Sequence, residues 1–89
     1  MNNPSLKELI EDNSNLFWSI RREDLEKLSR ETVVEIFLNY ANIREIKILI
    51  EIIGIEEIAQ IFYHQISNKR INYNKRTINY FKLYFKRHA

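Results

Sequence analysis

Cysteine is absent from this chain, and glycine, proline, methionine and tryptophan occur once each. Without cysteine there is neither a disulfide framework nor a thiolate zinc site. A cysteine-free chain also suits a reducing compartment. One glycine excludes a glycine-rich phosphate loop. With one glycine and one proline, tight hairpins have few turn residues to draw on, which argues against an all-β domain and for helices joined by short polar connections. No stretch approaches the roughly 18 apolar residues that a membrane span needs. The most apolar segment, Ile46 to Ile55, is interrupted by Lys47 and Glu51. The first residues lack the basic head and apolar run of a signal peptide. The expected location is therefore the cytoplasm, with no membrane contact.

What remains is globular in character. The 89 residues are 45% hydrophobic and 29% charged, a balance that folds rather than staying disordered. That length suits one domain, 1–89, with a small core and a thin stability margin. The abundance of isoleucine, asparagine and lysine reads as codon pressure from an AT-rich, bacterial genome. The expected fold is all-α, a compact bundle of four to five short helices.

Residues 1–5 are polar and read as a flexible start. Leu6, Leu9 and Ile10 sit at helical spacing, giving a short helix that ends near Asp12. Leu16, Phe17, Trp18 and Ile20 then form an apolar knot, followed by one or two helical turns over Arg22 to Leu28. Ser29 is an N-cap for a helix whose inner face is Val33, Val34, Phe37, Leu38 and Ala41. Asn42, with Glu45 three residues on, reads as a capping box. The segment Ile43 to Ile53 places Ile46, Leu49, Ile50 and Ile53 on one stripe and Ile48 and Ile52 off it. It reads as a central buried helix, with a buried strand as the alternative that short apolar runs leave open. Gly54 ends that helix. Glu56 and Glu57 open the next, where carboxylates favour the helix dipole, and Ile58, Ile61, Phe62 and Ile66 form its inner face. After a basic connection from Ser67 to Tyr73, Asn74 caps a last helix of about 74–87, with Ile78, Phe81 and Phe85 facing the core.

Charge is unevenly placed. All twelve acids lie between Glu8 and Glu57, against seven Lys and Arg over residues 1–57, a net of −5. From Ile58 onward there are seven Lys and Arg and no acid, a net of +7. Such separation points to a tail that meets an acidic or phosphate-bearing partner, although charge runs are often only solvated faces. Tyr73, Tyr80 and Tyr84 can stand beside these cations on the outer side. Tyrosine and arginine are enriched at protein interfaces, and the same pair stacks on bases and neutralises phosphates.

Catalysis finds no support in the residues, and no cofactor, metal or small-molecule substrate is expected. His64 and His88 are 24 positions apart and make no metal-ligand spacing. Glu56 and Glu57 are adjacent and point to different helix faces, so they do not converge as an acid pair. Arg87-His88 lacks the arginine-to-histidine spacing of the helical HEPN ribonucleases. The helix–Gly54–helix segment invites a helix-turn-helix reading, but its second helix begins Ile55-Glu56-Glu57, the wrong sign for phosphates. A DNA-binding reading instead uses the C-terminal helix, with Lys69, Arg70, Lys75, Arg76, Asn79, Lys82, Lys86 and Arg87 facing nucleic acid. Arg and Lys can bond guanine and Asn can bond adenine.

One run of motifs resembles a family of short bacterial helical proteins. Leu16-Phe17-Trp18-Ser19-Ile20 stands for its Phe-Trp-Asp-like start, and Tyr40-Ala41 for a helix ending in Tyr-Gly. Gly54-Ile55-Glu56-Glu57-Ile58 matches its Gly and Glu-Glu-Ile elements. Thr77-Ile78-Asn79-Tyr80-Phe81-Lys82-Leu83-Tyr84-Phe85 matches a closing Thr-x-Asn-Phe-Trp-x-x-Tyr-Phe. The resemblance covers about residues 16–86 and departs at Ser19, Ala41 and Tyr80-Phe81. Members of the family are encoded beside nucleotidyltransferase toxins of the AbiEii type. The resemblance therefore implies an antitoxin-like module that binds a cognate toxin protein directly. A basic, aromatic helix suits an acidic cleft in which carboxylates hold metal. The partner-binding residues expected on this reading are Lys75, Arg76, Tyr80, Lys82, Tyr84 and Trp18. A small DNA-binding regulator is the alternative function. A homo-oligomer joining the acidic half of one copy to the basic half of another is a third.

Overall fold

The computed structural model describes residues 5–68 and 71–89, and every described element is helical. In chain order they are α1 (Leu6–Asp12), two 3-10 segments (Ser14–Phe17 and Arg22–Lys27), α2 (Arg30–Tyr40), α3 (Ile43–Ile53), α4 (Ile55–Ile66) and α5 (Lys75–His88). The 43–53 segment is a helix, not a strand.

Short polar caps set most helix starts. Each cap side chain accepts one of the backbone N–H groups that the first helical turn leaves unpaired. Ser29 accepts from the Thr32 N–H, Asn42 from Glu45 and Asn74 from Thr77. Of the flexible start expected over 1–5, residues 1–4 lie outside the described residues, and Ser5 is ordered as the cap of α1. Its hydroxyl accepts from the Glu8 N–H at 3.2 Å, while the Glu8 carboxylate accepts from the Ser5 N–H at 3.3 Å. This is a reciprocal capping box. The box expected at Asn42 is only half made. The Glu45 carboxylate accepts instead from Asn13 Nδ2 at 3.1 Å, tying the start of α3 to the end of α1.

α2 and α4 are the central pair. They pack on each other, α3 lies against both, α5 packs on α4, α1 rests on α3, and the 14–17 segment lies on α2. Val33, Val34, Phe37 and Leu38 from α2 meet Ile58, Ala59 and Phe62 from α4 in the core. The expectation that α3 is the buried centre is corrected. Only Ile46 and Leu49 are buried there, Ile50 and Ile53 are half-buried, and Ile43 is exposed. α3 has as many neighbours as α4, but they cover less of it: α2 buries four residues and α4 three, against two in α3.

Phe62 is the aromatic hub. Its ring centroid lies 5.4 Å from Tyr73, 6.1 Å from Phe81 and 5.4 Å from Phe85. These tilted pairs add roughly 0.5–1.5 kcal/mol each beyond area burial. Tyr73, expected on the outer side, is buried at 6% exposure. Its hydroxyl donates to Gln65 Oε1 at 2.5 Å, and Gln65 Nε2 donates in turn to the Glu31 carbonyl at 2.9 Å. The chain entering α5 is thus fixed to α4 and, through Gln65, to the start of α2.

Candidate interaction surface on the C-terminal helix

α5 divides cleanly around its axis. Phe81 and Phe85 are buried and Thr77, Ile78 and Tyr84 are half-buried, which leaves the remaining side chains to solvent. At about 100° per residue, the exposed side chains fall into two stripes. Lys75, Asn79, Lys82 and Lys86 recur at i, i+4, i+7 and i+11 along one line. Arg76, Tyr80, Leu83 and Arg87 recur with the same spacing along another, about a third of a turn away, with Tyr84 at its edge. Lys75 and Lys82, grouped with Arg76 and Tyr80 in the sequence reading, therefore stand on the other stripe.

The second stripe is amphipathic. Tyr80 is 51% exposed and Leu83 is 70% exposed, between two arginines. Tyr80 stacks on Tyr84 at 6.3 Å and 20°, and Tyr84 carries His88 at 4.6 Å. His88 thus sits against a ring in the last turn of α5. Tyr80, Leu83, Tyr84, Arg87 and His88 line a shallow depression of about 350 Å³. Leu83 had no place among the sequence-derived contacts. Its signal was the i+3 step from Tyr80 combined with its position off the Phe81–Phe85 line.

Electrostatically, α5 carries five cations and no acid. Lys7, Arg21 and Arg30 have carboxylate partners, at 3.0, 3.3 and 2.7 Å respectively. Among the described residues, no ion pair reaches Lys75, Arg76, Lys82, Lys86 or Arg87. The five cations of α5 are therefore not neutralised by close contact with the described carboxylates of their own chain. Lys69 and Arg70 lie outside the described residues. Among those described, no group of His, Cys, Asp or Glu is placed to hold a metal ion. None of the helices is long and apolar enough to cross a membrane.

Trp18 is 75% exposed while its neighbour Phe17 is buried at 2%, 6.0 Å from Phe37. The apolar knot expected over 16–20 is thus opened, with Phe17 as its anchor and Leu16 and Ile20 half-buried. Trp18 directly follows the 14–17 segment that lies on α2, whereas α5 packs on α4. No aromatic pairing or hydrogen bond among the described residues joins Trp18 to α5. In the helix–Gly54–helix segment, α4 buries Ile58, Ala59 and Phe62, and Glu57 in its first turn is engaged by Arg30 at 2.7 Å.

Comparison of the chain with protein families, curated proteins and solved structures found no match.

Proposed function

We propose that this protein is a binding module that docks a protein partner on the Arg76–Tyr80–Leu83–Arg87 stripe of α5. The observation that carries the reading is Leu83, 70% exposed beside Tyr80, on a helix whose packing face lies elsewhere. Burying a leucine side chain is worth about 1.5–3 kcal/mol, and nothing within the fold collects it. Tyrosine and arginine flanking such a residue are the side chains that dominate interface energetics. The family resemblance carried by the motifs from Phe17-Trp18 to Tyr84-Phe85 implies the class of partner: a nucleotidyltransferase-type toxin, neutralised by direct binding. The cationic rim favours an acidic cleft on that partner and speeds encounter with it. Trp18 offers a second, separate contact point.

The test is identification of the neighbouring gene product, expected to be a nucleotidyltransferase-type protein, and calorimetric titration of the purified chain against it. Tyr80→Ala with Leu83→Glu should weaken binding at least tenfold and leave helix content and melting temperature unchanged. Arg76→Glu should slow association. A neighbouring gene product of another class, or unchanged affinity in the double variant, rejects the reading.

A further inference from the structure

We propose that the other exposed stripe of α5, formed by Lys75, Asn79, Lys82 and Lys86, seats the phosphate backbone of duplex DNA, leaving the Arg76–Tyr80–Leu83 stripe for the protein partner. The stripe runs for about 16 Å along the helix at 1.5 Å per residue. All four side chains are exposed, and no apolar residue interrupts them. None of the three lysines is ion-paired among the described residues.

The fold gains little from this arrangement beyond Lys86, whose place in the last turn suits the helix dipole. Lys82 and Lys86 are four residues apart, a like-charge spacing that costs a helix a few tenths of a kcal/mol. An acid at position 79 would have relieved it, and asparagine stands there. A helix that keeps unpaired cations in line at its own expense fits a ligand that brings the negative charge. Duplex phosphates do so at close and regular intervals.

The choice of DNA duplex over single strand or RNA follows from the neighbours of the lysines. Single-strand binders interleave aromatic platforms with cations, and here no aromatic lies within the lysine stripe, Tyr80 standing about a third of a turn away and Tyr84 farther round the helix. The major groove of B-form DNA admits an α-helix, whereas that of A-form RNA is too narrow for side chains to read. Asn79, central in the stripe, carries the donor and acceptor that pair with an adenine edge.

The proposal is tested with the purified chain alone, by fluorescence anisotropy on a labelled 24-base-pair DNA duplex of mixed sequence, so the outcome does not depend on the protein partner. Three phosphate contacts predict that affinity falls about 40-fold between 50 and 200 mM salt. Lys75→Gln/Lys82→Gln/Lys86→Gln should weaken binding at least tenfold at 50 mM salt and flatten the salt dependence, with an unchanged melting temperature. A variant of equal charge loss elsewhere, Arg22→Gln/Lys27→Gln/Lys47→Gln, should bind within about threefold of the parent, as should Leu83→Ala. The proposal is overturned by no binding at 50 mM salt, by equal loss in the charge-matched variant, or by tighter binding to the single strand or to an RNA duplex of the same sequence.

Discussion

Phe17 and Trp18 are neighbours in the chain, yet one closes against Phe37 and the other stands in solvent. Truncation should separate them sharply. Phe17→Ala removes a fully packed ring and should cost about 3–5 kcal/mol, a large part of the 5–15 kcal/mol typical of a small domain. Trp18→Ala should change stability by no more than about 0.5 kcal/mol. Urea denaturation followed by circular dichroism measures both. Tyr73 makes a different prediction. Burial, and secondarily the charge of Glu35, push its hydroxyl well above the ordinary tyrosine range. Once the pH passes about 10, the unfolded chain releases this proton while the folded chain keeps it. The contribution to stability is therefore fully present at neutral pH and is lost progressively in alkali. Tyr73→Phe should lessen that alkaline decline in thermal melts. At neutral pH it should cost about 1 kcal/mol, because Gln65 Oε1 loses its donor.

Among the elements, the joint between α3 and α4 rests on Gly54. It ends one helix, with its N–H donating to the Ile50 carbonyl at 2.7 Å, and it starts the next with φ at +101°. A Cβ at this position would meet nothing within 4 Å, so the constraint is the backbone conformation and not space. Gly54→Ala should therefore cost about 1–3 kcal/mol of strain, read as a melting temperature lowered by roughly 4–8 °C per kcal/mol. Helix boundaries were the most legible part of the sequence, because Ser29, Asn42 and Asn74 act locally on the N–H groups three residues ahead. The Ser5-x-x-Glu8 capping box was equally local and was hidden only by its polar surroundings. The rank order of burial was not legible. α3 has the densest isoleucine pattern but buries only Ile46 and Leu49, since a helix's own periodicity carries no record of which of its apolar side chains the neighbours will cover. The same limit put Tyr73 outside and closed Trp18 into the apolar knot.

For the whole molecule, the all-α architecture followed from scarce turn residues and amphipathic spacing, and the −5/+7 division from counting. The partition of α5 into lysine and arginine–aromatic stripes needed the packing face to be fixed first. Phe81 and Phe85 supply that reference, and once they are seated on Phe62 the remaining angles follow from helical geometry. The separation has an evolutionary consequence. Apart from Tyr84, which packs against the core and also borders the outer stripe, the side chains that hold α5 to the core are not those that face outward, so residues such as Arg76 and Leu83 can be exchanged with little toll on folding. Duplicated copies of such a gene could diverge in what they recognise by changes at positions such as 76, 80 and 83 while inheriting one intact scaffold. On the proposed reading, grafting those outer positions between two members of the fold would transfer specificity with them.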